Sequence, residues 1–376
     1  MINRRQFTLA AGAASLAHMP AARAQSDRSI VLGQSAAFTG PAAQLGIQFH
    51  AGAKLFFDRL NAQGGVAGRS VEIVKLDDGY EPERCAANTQ KLIEDDVFAM
   101  FGYIGTPTSI AALPLATKAK VPFIAPFTGA MALRTPLNRY AFHVRASYND
   151  ETALIVRQLH NVGITKVAVF YQNDAYGKAG LDGVTLALDA RGLKPIAVAT
   201  VERNSVDVAK AVQTINAAAP EAVVQISAYK SCAAYIRAAR KAGYGGGFYN
   251  VSFVGTQALA DELGAEGAGV VVSQVMPTPY STAKGISREF TEAVHKSNGA
   301  VSANFSSMEG FVAAKVLSEG LLRANGRGGR EGLIAGLESI GRQTYGGFNV
   351  NLSHTDHVAS SFVELSMLTG DGRVRT

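Results

Sequence analysis

The chain has 376 residues, 36 Lys+Arg against 30 Asp+Glu, 47% hydrophobic residues and two Cys. That length exceeds one ordinary core and predicts two domains; charged residues at 18% beside so much apolar content exclude a disordered chain, and two cysteines exclude a disulfide scaffold or a four-cysteine zinc site. Half of the formal net charge of +6 comes from Arg4, Arg5 and Arg23, and the rest forms no long basic run, so no nucleic-acid partner is expected.

Residues 1–24 read as an export address. Asn3, Arg4 and Arg5 form a charged start, 7–17 is a short Ala-rich stretch, and Ala22 and Ala24 offer small residues before a cleavage at Gln25. Paired arginines ahead of a weak apolar stretch fit a twin-arginine signal. The stretch is well short of the ~20 residues of a spanning helix. No cysteine stands at the cleavage point to carry a lipid. A soluble periplasmic protein is expected; the competing reading is a basic tail on a cytosolic one.

Strands and helices then alternate. Residues 29–34 read as a strand, and Phe38, Thr39, Gly40 and Pro41 as a turn. Leu45, Phe49, Ala53, Phe56 and Leu60 share one face of a helix that Gly64 and Gly65 stop. Strand 71–76, helix 83–95, strand 97–104, a helix beyond Thr106 and Pro107, and strand 121–126 follow. The alternation resumes with helix 150–161, strand 166–171, helix 176–192, strand 196–201, a helix to Ala219 capped by Ser205 or Asp207, strand 222–227, helix 231–242 and strands 248–254 and 270–275. Beyond Pro277 and Pro279 come helices 287–297, 306–324 and 330–340 and a closing strand, 359–368. Two successive βα sets predict an α/β chain of two doubly wound parallel-sheet lobes. The glycine- and arginine-rich stretch 325–332 reads as a surface loop, since a phosphate cradle needs GxxxxGK[ST].

In open parallel sheets, ligands bind beyond the C-terminal strand ends. There the chain places Ser35 to Phe38, Tyr103 to Thr108, Phe127 to Gly129, Tyr171 to Tyr176, Ser227 to Tyr229 and Ser252. Hydroxyls, aromatics and glycines dominate, and catalytic groups are few. Helix N-termini at such turns suit a carboxylate, and Tyr and Phe supply apolar walls with polar tips. Plainer readings compete. Thr106 before Pro107 fits a helix cap, Thr128-Gly129 a simple turn, and Tyr176 and Tyr229 ordinary packing. His354 and His357 lack a third metal ligand, so a polar loop is expected and no metal. Cys85 and Cys232 fall in different predicted lobes and are expected unbonded.

The runs GQSAAFTGP (33–41), NAQGGVAG (61–68), DDGYEP (77–82), FGYIGTPT (101–108) and VPFIAP (121–126), with Tyr176-Gly177, MEGF (308–311) and YGGF (345–348), follow in one order over nearly the whole mature chain. Together they resemble the leucine/isoleucine/valine-binding protein family, the periplasmic receptors of ABC importers. That resemblance implies the type I periplasmic binding protein fold, with three crossovers near Ser147, Pro277 and His354. Lobe 1 would be 25–147 plus 278–354, and lobe 2 148–277 plus 355–376. It implies a ligand closed between the lobes by a hinge, a membrane ABC permease as partner, and no cofactor.

Carried over by position, the family's carboxylate-binding hydroxyl falls on Thr106, and the next contacts on Thr128 and Gly129. An apolar contact falls on Leu45, and the second-lobe tyrosines on Tyr176 and Tyr229. The acidic partner of a ligand ammonium falls on Ser252, a neutral hydroxyl that cannot replace a buried carboxylate. Asp150, near another acidic position, is the candidate to compensate. Without it the ligand need not be an amino acid, and carboxylates or amides come into range. The rival readings are a sensor of the same fold feeding a membrane receptor or regulating amide metabolism, and a periplasmic enzyme. The export signal and the lack of a helix-turn-helix count against a regulator, and the lack of a nucleophile–base pair against an enzyme.

Overall fold

The computed structural model describes residues 29–376. The expected export signal, 1–24, lies outside the described residues. The chain opens with β1 (Ile30–Ala36), α1 (Ala43–Ala62), β2 (Val71–Asp77), α2 (Pro82–Glu94), β3 (Ala99–Phe101), α3 (Thr106–Lys118), β4 (Phe123–Ile124) and β5 (Ala141–Phe142). These five strands form one parallel sheet in the order β2-β1-β3-β4-β5. The second lobe is built from α4 (Tyr148–Asn161), β6 (Val167–Gln172), α5 (Ala175–Asp189), β7 (Ala197–Val201), α6 (Ala209–Ala217), β8 (Ala222–Ile226), α7 (Tyr229–Lys241), β9 (Gly247–Asn250), α8 (Thr256–Leu263) and β10 (Val271–Gln274). The chain then returns to the first lobe as α9 (Gly285–Lys296), α10 (Phe305–Arg323), α11 (Gly329–Glu338), β11 (Gly341–Tyr345) and β12 (Phe348–Leu352). It ends in β13 (Glu364–Leu368) and β14 (Val374–Arg375), which extend the second sheet to β14-β13-β10-β9-β8-β6-β7.

Burial explains the strand sequences. The interior strand β8 is buried throughout and reads as an apolar run broken only by Gln225, as expected of a parallel strand covered on both faces. The edge strand β7 alternates between half-buried and exposed residues until Val201. The last two strands run antiparallel, so the second sheet is mixed at that edge. The closing strand is also shorter than expected, because 359–363 belongs to a crossover.

A hairpin that the periodicity did not predict joins β11 to β12. Gly346 and Gly347 turn it, with φ of 56° and 89°. Two consecutive positive φ values are what a tight primed turn demands, and Gly-Gly meets that demand. In the first lobe, α10 lies directly on α1. A Cβ at Gly52 would stand 1.8 Å from Ser307 O, and one at Gly310 2.0 Å from Phe49 O. The two helices approach backbone to backbone because neither site carries a side chain.

The chain passes between the lobes at 143–147, 275–284 and 353–363. The first and third crossovers are bonded to each other: His143 N donates to His357 O (2.8 Å), and Ala359 N to His143 O (2.8 Å). His357 is buried there, stacked on Phe142 at 3.8 Å, while His354 is exposed. Cys85 and Cys232 are buried, free and in different lobes. Among the described residues, no helix is long and apolar enough to cross a membrane.

Candidate functional site

Residues just beyond the strand ends of both sheets meet in one cleft. Tyr80 follows β2, and its hydroxyl accepts a bond from Gln172 Nε2, at the end of β6 (3.1 Å). Phe253 follows β9 and reaches across to Tyr80 and Phe127, with ring centres 5.8 and 5.7 Å apart. Its other neighbour is Tyr176, at 4.4 Å, and Tyr176 lies 5.4 Å from Tyr148. The result is a chain of aromatic rings running from one lobe to the other.

On the first-lobe wall, β3 leads through Gly105 into α3. Gly105, with φ 101°, occupies the cap position, and a Cβ there would stand 2.2 Å from the Tyr80 ring. Thr106 is therefore the first helical residue rather than the cap. Its buried hydroxyl pairs with that of Thr128 at 2.6 Å. The Thr128 loop is held from behind by buried Arg134. That guanidinium donates to the carbonyls of Thr128 (3.2 Å), Ala130 (3.0 Å) and Arg145 (3.1 Å). Burial and the charge of Arg145 lower the Arg134 pKa to about 10, which leaves it a cation at neutral pH. Gly129 touches the hinge: its carbonyl accepts from Tyr148 N (2.8 Å), and a Cβ would stand 2.6 Å from that nitrogen. Leu45 is fully buried against the backbone of Gly255, where a Cβ would stand 2.4 Å from Leu45 Cδ2.

On the second-lobe wall, Tyr176 sits in the first turn of α5, which Asp174 caps through the Tyr176 and Gly177 amides. Tyr229 begins α7 and belongs to that lobe's own core; its hydroxyl reaches the backbone of Gln44, beside Leu45. Tyr229 and Leu45 thus flank the cleft, while Thr106, Thr128, Gly129, Tyr176 and Ser252 are gathered toward its centre.

Asp150 is engaged elsewhere. Its Oδ2 accepts from Ser147 N (2.9 Å) and Ser147 Oγ (2.6 Å), and its own amide donates to Ser147 Oγ (3.1 Å). This is a reciprocal capping box that starts α4 at the crossover. The carboxylate at Ser252 comes from the next residue. Glu151 Oε2 accepts from Ser252 N (2.7 Å) and Ser273 Oγ (2.5 Å), and Oε1 from Ser252 Oγ (3.0 Å). Consecutive helical residues point about 100° apart, so Asp150 and Glu151 cannot serve the same place.

Arg145 lies at the centre, on the first crossover, with no solvent exposure of its side chain. Its Nη2 donates to Ser252 Oγ and lies 3.8 Å from Glu151 Oε1. Its Nε lies 3.6 Å from Glu309 Oε1 on α10, and its guanidinium covers the Phe127 ring at 4.5 Å. Burial pushes Glu309 up to about 7, against the pull of Arg145. Glu151 is also raised by burial, opposed by Arg145 and by its hydrogen bonds. Arg145 Nε and Nη1, Tyr148 Oη, Tyr176 Oη and Ser227 Oγ are buried with no hydrogen-bond partner in the protein. Sequence reasoning passed over Arg145, Glu151 and Glu309. Arg145 is the one permanently charged residue in the apolar run AFHVRASY, and Glu309 the one charge in FSSMEGFVAA. An isolated charge in an apolar stretch is the signal that was there to be read.

A family model described as periplasmic binding protein matches residues 29–372. The Leu/Ile/Val-binding protein homolog 7 of Brucella abortus is 25% identical over 334 residues, 84% of this chain and 82% of that protein. Among solved structures, a possible leucine/isoleucine/valine-binding protein from Rhodopirellula baltica superposes with a TM-score of 0.88. It is 33% identical and covers 94% of this chain and 97% of its own. A substrate-binding periplasmic protein from Ralstonia solanacearum gives 0.86 at 30% identity, with 92% and 99% covered. Two doubly wound lobes, three crossovers and a cleft at the strand ends are thus joined by sequence likeness along the described chain: the protein belongs to the periplasmic binding protein family, of the leucine/isoleucine/valine-binding type.

Proposed function

We propose that this protein is the solute receptor of an ABC importer, exported to the periplasm by residues 1–24, which captures a small amino-acid-like, carboxylate or amide ligand between its lobes and presents it to a membrane permease. The observation that carries this reading is the cleft itself. It gathers buried hydroxyls, aromatic rings and a guanidinium from both lobes and the hinge, and several of their polar atoms lack partners. Buried polar groups without partners are costly unless a ligand completes them. The names of the Brucella and Rhodopirellula relatives point to leucine, isoleucine or valine.

Thr106, Thr128 and Gly129 meet the ligand's polar head from the first lobe. Tyr176 and Ser252 close from the second, Leu45 and Tyr229 seal the flank, and Asp150 fixes the hinge end of α4. No chemical step is involved. Closure is driven only by the ligand's stronger binding to the closed form. The test is thermal unfolding of ligand-stripped protein with leucine and with 4-methylpentanoate, its deaminated analogue. At a hundred times Kd, a ligand adds about 2.7 kcal/mol of stability. A shift with either compound supports a receptor; silence to these and to a wider panel of small acids, amides and amines overturns it.

A further inference from the structure

Donors and acceptors are unequally engaged within the cleft. The Glu151 oxygens already accept three hydrogen bonds, from Ser252 and Ser273. Thr106 and Thr128 share one hydrogen bond, which leaves one O–H donor between them. Arg145 is different, because a guanidinium can only donate. Two of its donors, Nε and Nη1, find no acceptor: Glu309 stands at ion-pair distance, 3.6 Å, without a hydrogen bond. The hydroxyls of Tyr148 and Tyr176, also without partners, belong to rings 5.4 Å apart.

Arg134 and Arg145 are two fixed cations; Arg134 is offset by Asp150 and Glu151, and Arg145 by Glu151 and a Glu309 that burial holds close to half-neutral. The donors left without partners are those of Arg145, so an acceptor completes the cluster and a further donor does not. An ammonium here would face the guanidinium of Arg145 and could pair only with Glu309, since Glu151 already accepts three bonds.

We propose that Arg145, on the first crossover, is the anchor of the ligand: an organic carboxylate bound through Arg145 Nε and Nη1 and the Tyr148 hydroxyl, with its apolar body against Phe127, Tyr176 and Phe253. This rests on the receptor reading and deepens it. It places the acid group at the hinge, so that Thr106 and Thr128 become a second contact, and it requires no ammonium. Planar guanidinium and planar carboxylate match in geometry as well as in charge, which a lysine cannot reproduce.

The test titrates ligand-stripped protein by calorimetry with matched sets on two skeletons. One set is 4-methylpentanoate, 4-methylpentanamide and 3-methylbutylamine. The other is 3-phenylpropanoate, 3-phenylpropanamide and 2-phenylethylamine. The expected result is that acids bind and their amides and amines bind about 10- to 100-fold more weakly, the worth of a charge-assisted hydrogen bond. Arg145→Lys, which keeps a charge beside Glu151 and Glu309, is expected to weaken the acid by about tenfold or more on the same grounds. The acid–amide comparison on unaltered protein needs no variant to fold. An amide or amine that binds as tightly as its acid overturns the Arg145 anchor and leaves the receptor reading standing. So does an Arg145→Lys variant with unchanged acid affinity. If none of these probes binds but leucine does, the ammonium-free acid site is overturned and the receptor reading stands; if leucine and the wider panel are silent too, both fall.

Discussion

Arginine meets glutamate at the rim of the cleft and again at its centre, with opposite consequences. At the rim, Arg203 of the second lobe lies 2.9 Å from Glu81 of the first, with side chains 25% and 42% exposed. Asn204 adds bonds to Gly79 O (3.1 Å) and Glu81 Oε1 (2.7 Å). Water solvates these groups whether the lobes are together or apart, so such a pair is worth about 0–1 kcal/mol. At the centre, Arg145, Glu151 and Glu309 are 0%, 0% and 6% exposed. There each charge has lost its water, and its remaining partners decide whether it is tolerable at all. The same residue types make an adjustable clasp in one place and an obligatory cluster in the other, and solvent is the difference.

The largest expected effect comes from breaking the buried cluster. Arg145→Met strands Glu151 and is expected to lose about 3–5 kcal/mol in urea unfolding. Adding Glu309→Gln to the same chain should recover part of that loss. A loss as small as a rim pair's would erase the contrast. Gly310→Ala acts next to Glu309 by sterics instead of charge. It forces a Cβ to within 2.0 Å of Phe49 O, and the overpacking is expected to cost about 1–3 kcal/mol by the same measurement. Thr106→Ala removes one half of the threonine pair and is expected to weaken a bound carboxylate by about 1–3 kcal/mol in calorimetry. Unchanged affinity would free that pair from any role in ligand binding.

The pH dependence of stability sharpens the comparison further. Glu309 holds its proton up to about 7 in the fold, against an ordinary value of 4.5. Between those values the folded state binds more protons than the unfolded one, so its contribution to stability is full below about pH 4.5 and is lost as pH rises through about 7. Glu309→Gln should remove that downward slope, seen as a difference between the unfolding midpoints of the two proteins across the window. The smallest effect belongs to the rim. Glu81→Ala should change equilibrium affinity by no more than about 1 kcal/mol and appear as faster release in stopped-flow, with the difference fading at high salt.

Much of the architecture was legible in the chain. Interior strands such as β8 announce themselves as apolar runs, and amphipathic spacing marks α1, because hydrophobic periodicity is local. The hairpin of β11 and β12 was missed because the YGGF run served as a family marker rather than as a turn. Thr106, Thr128 and Tyr176 were legible as candidates because they follow strand ends. Asp150 and Glu151, adjacent in sequence, were separated only by the turn of a helix, and the capping box claimed the first of them.

Sequence by itself determined the alternation of strand and helix, the two lobes, the family and the hydroxyls and aromatics at the strand ends. Each of these depends on neighbours a few residues away. Only the tertiary structure decided which charges share the centre. Arg145 from a crossover, Glu151 from α4, Glu309 from α10 and Ser252 beyond β9 come from distant stretches of chain. Their energies follow from a common loss of water, which arises only when both lobes and the hinge are in place.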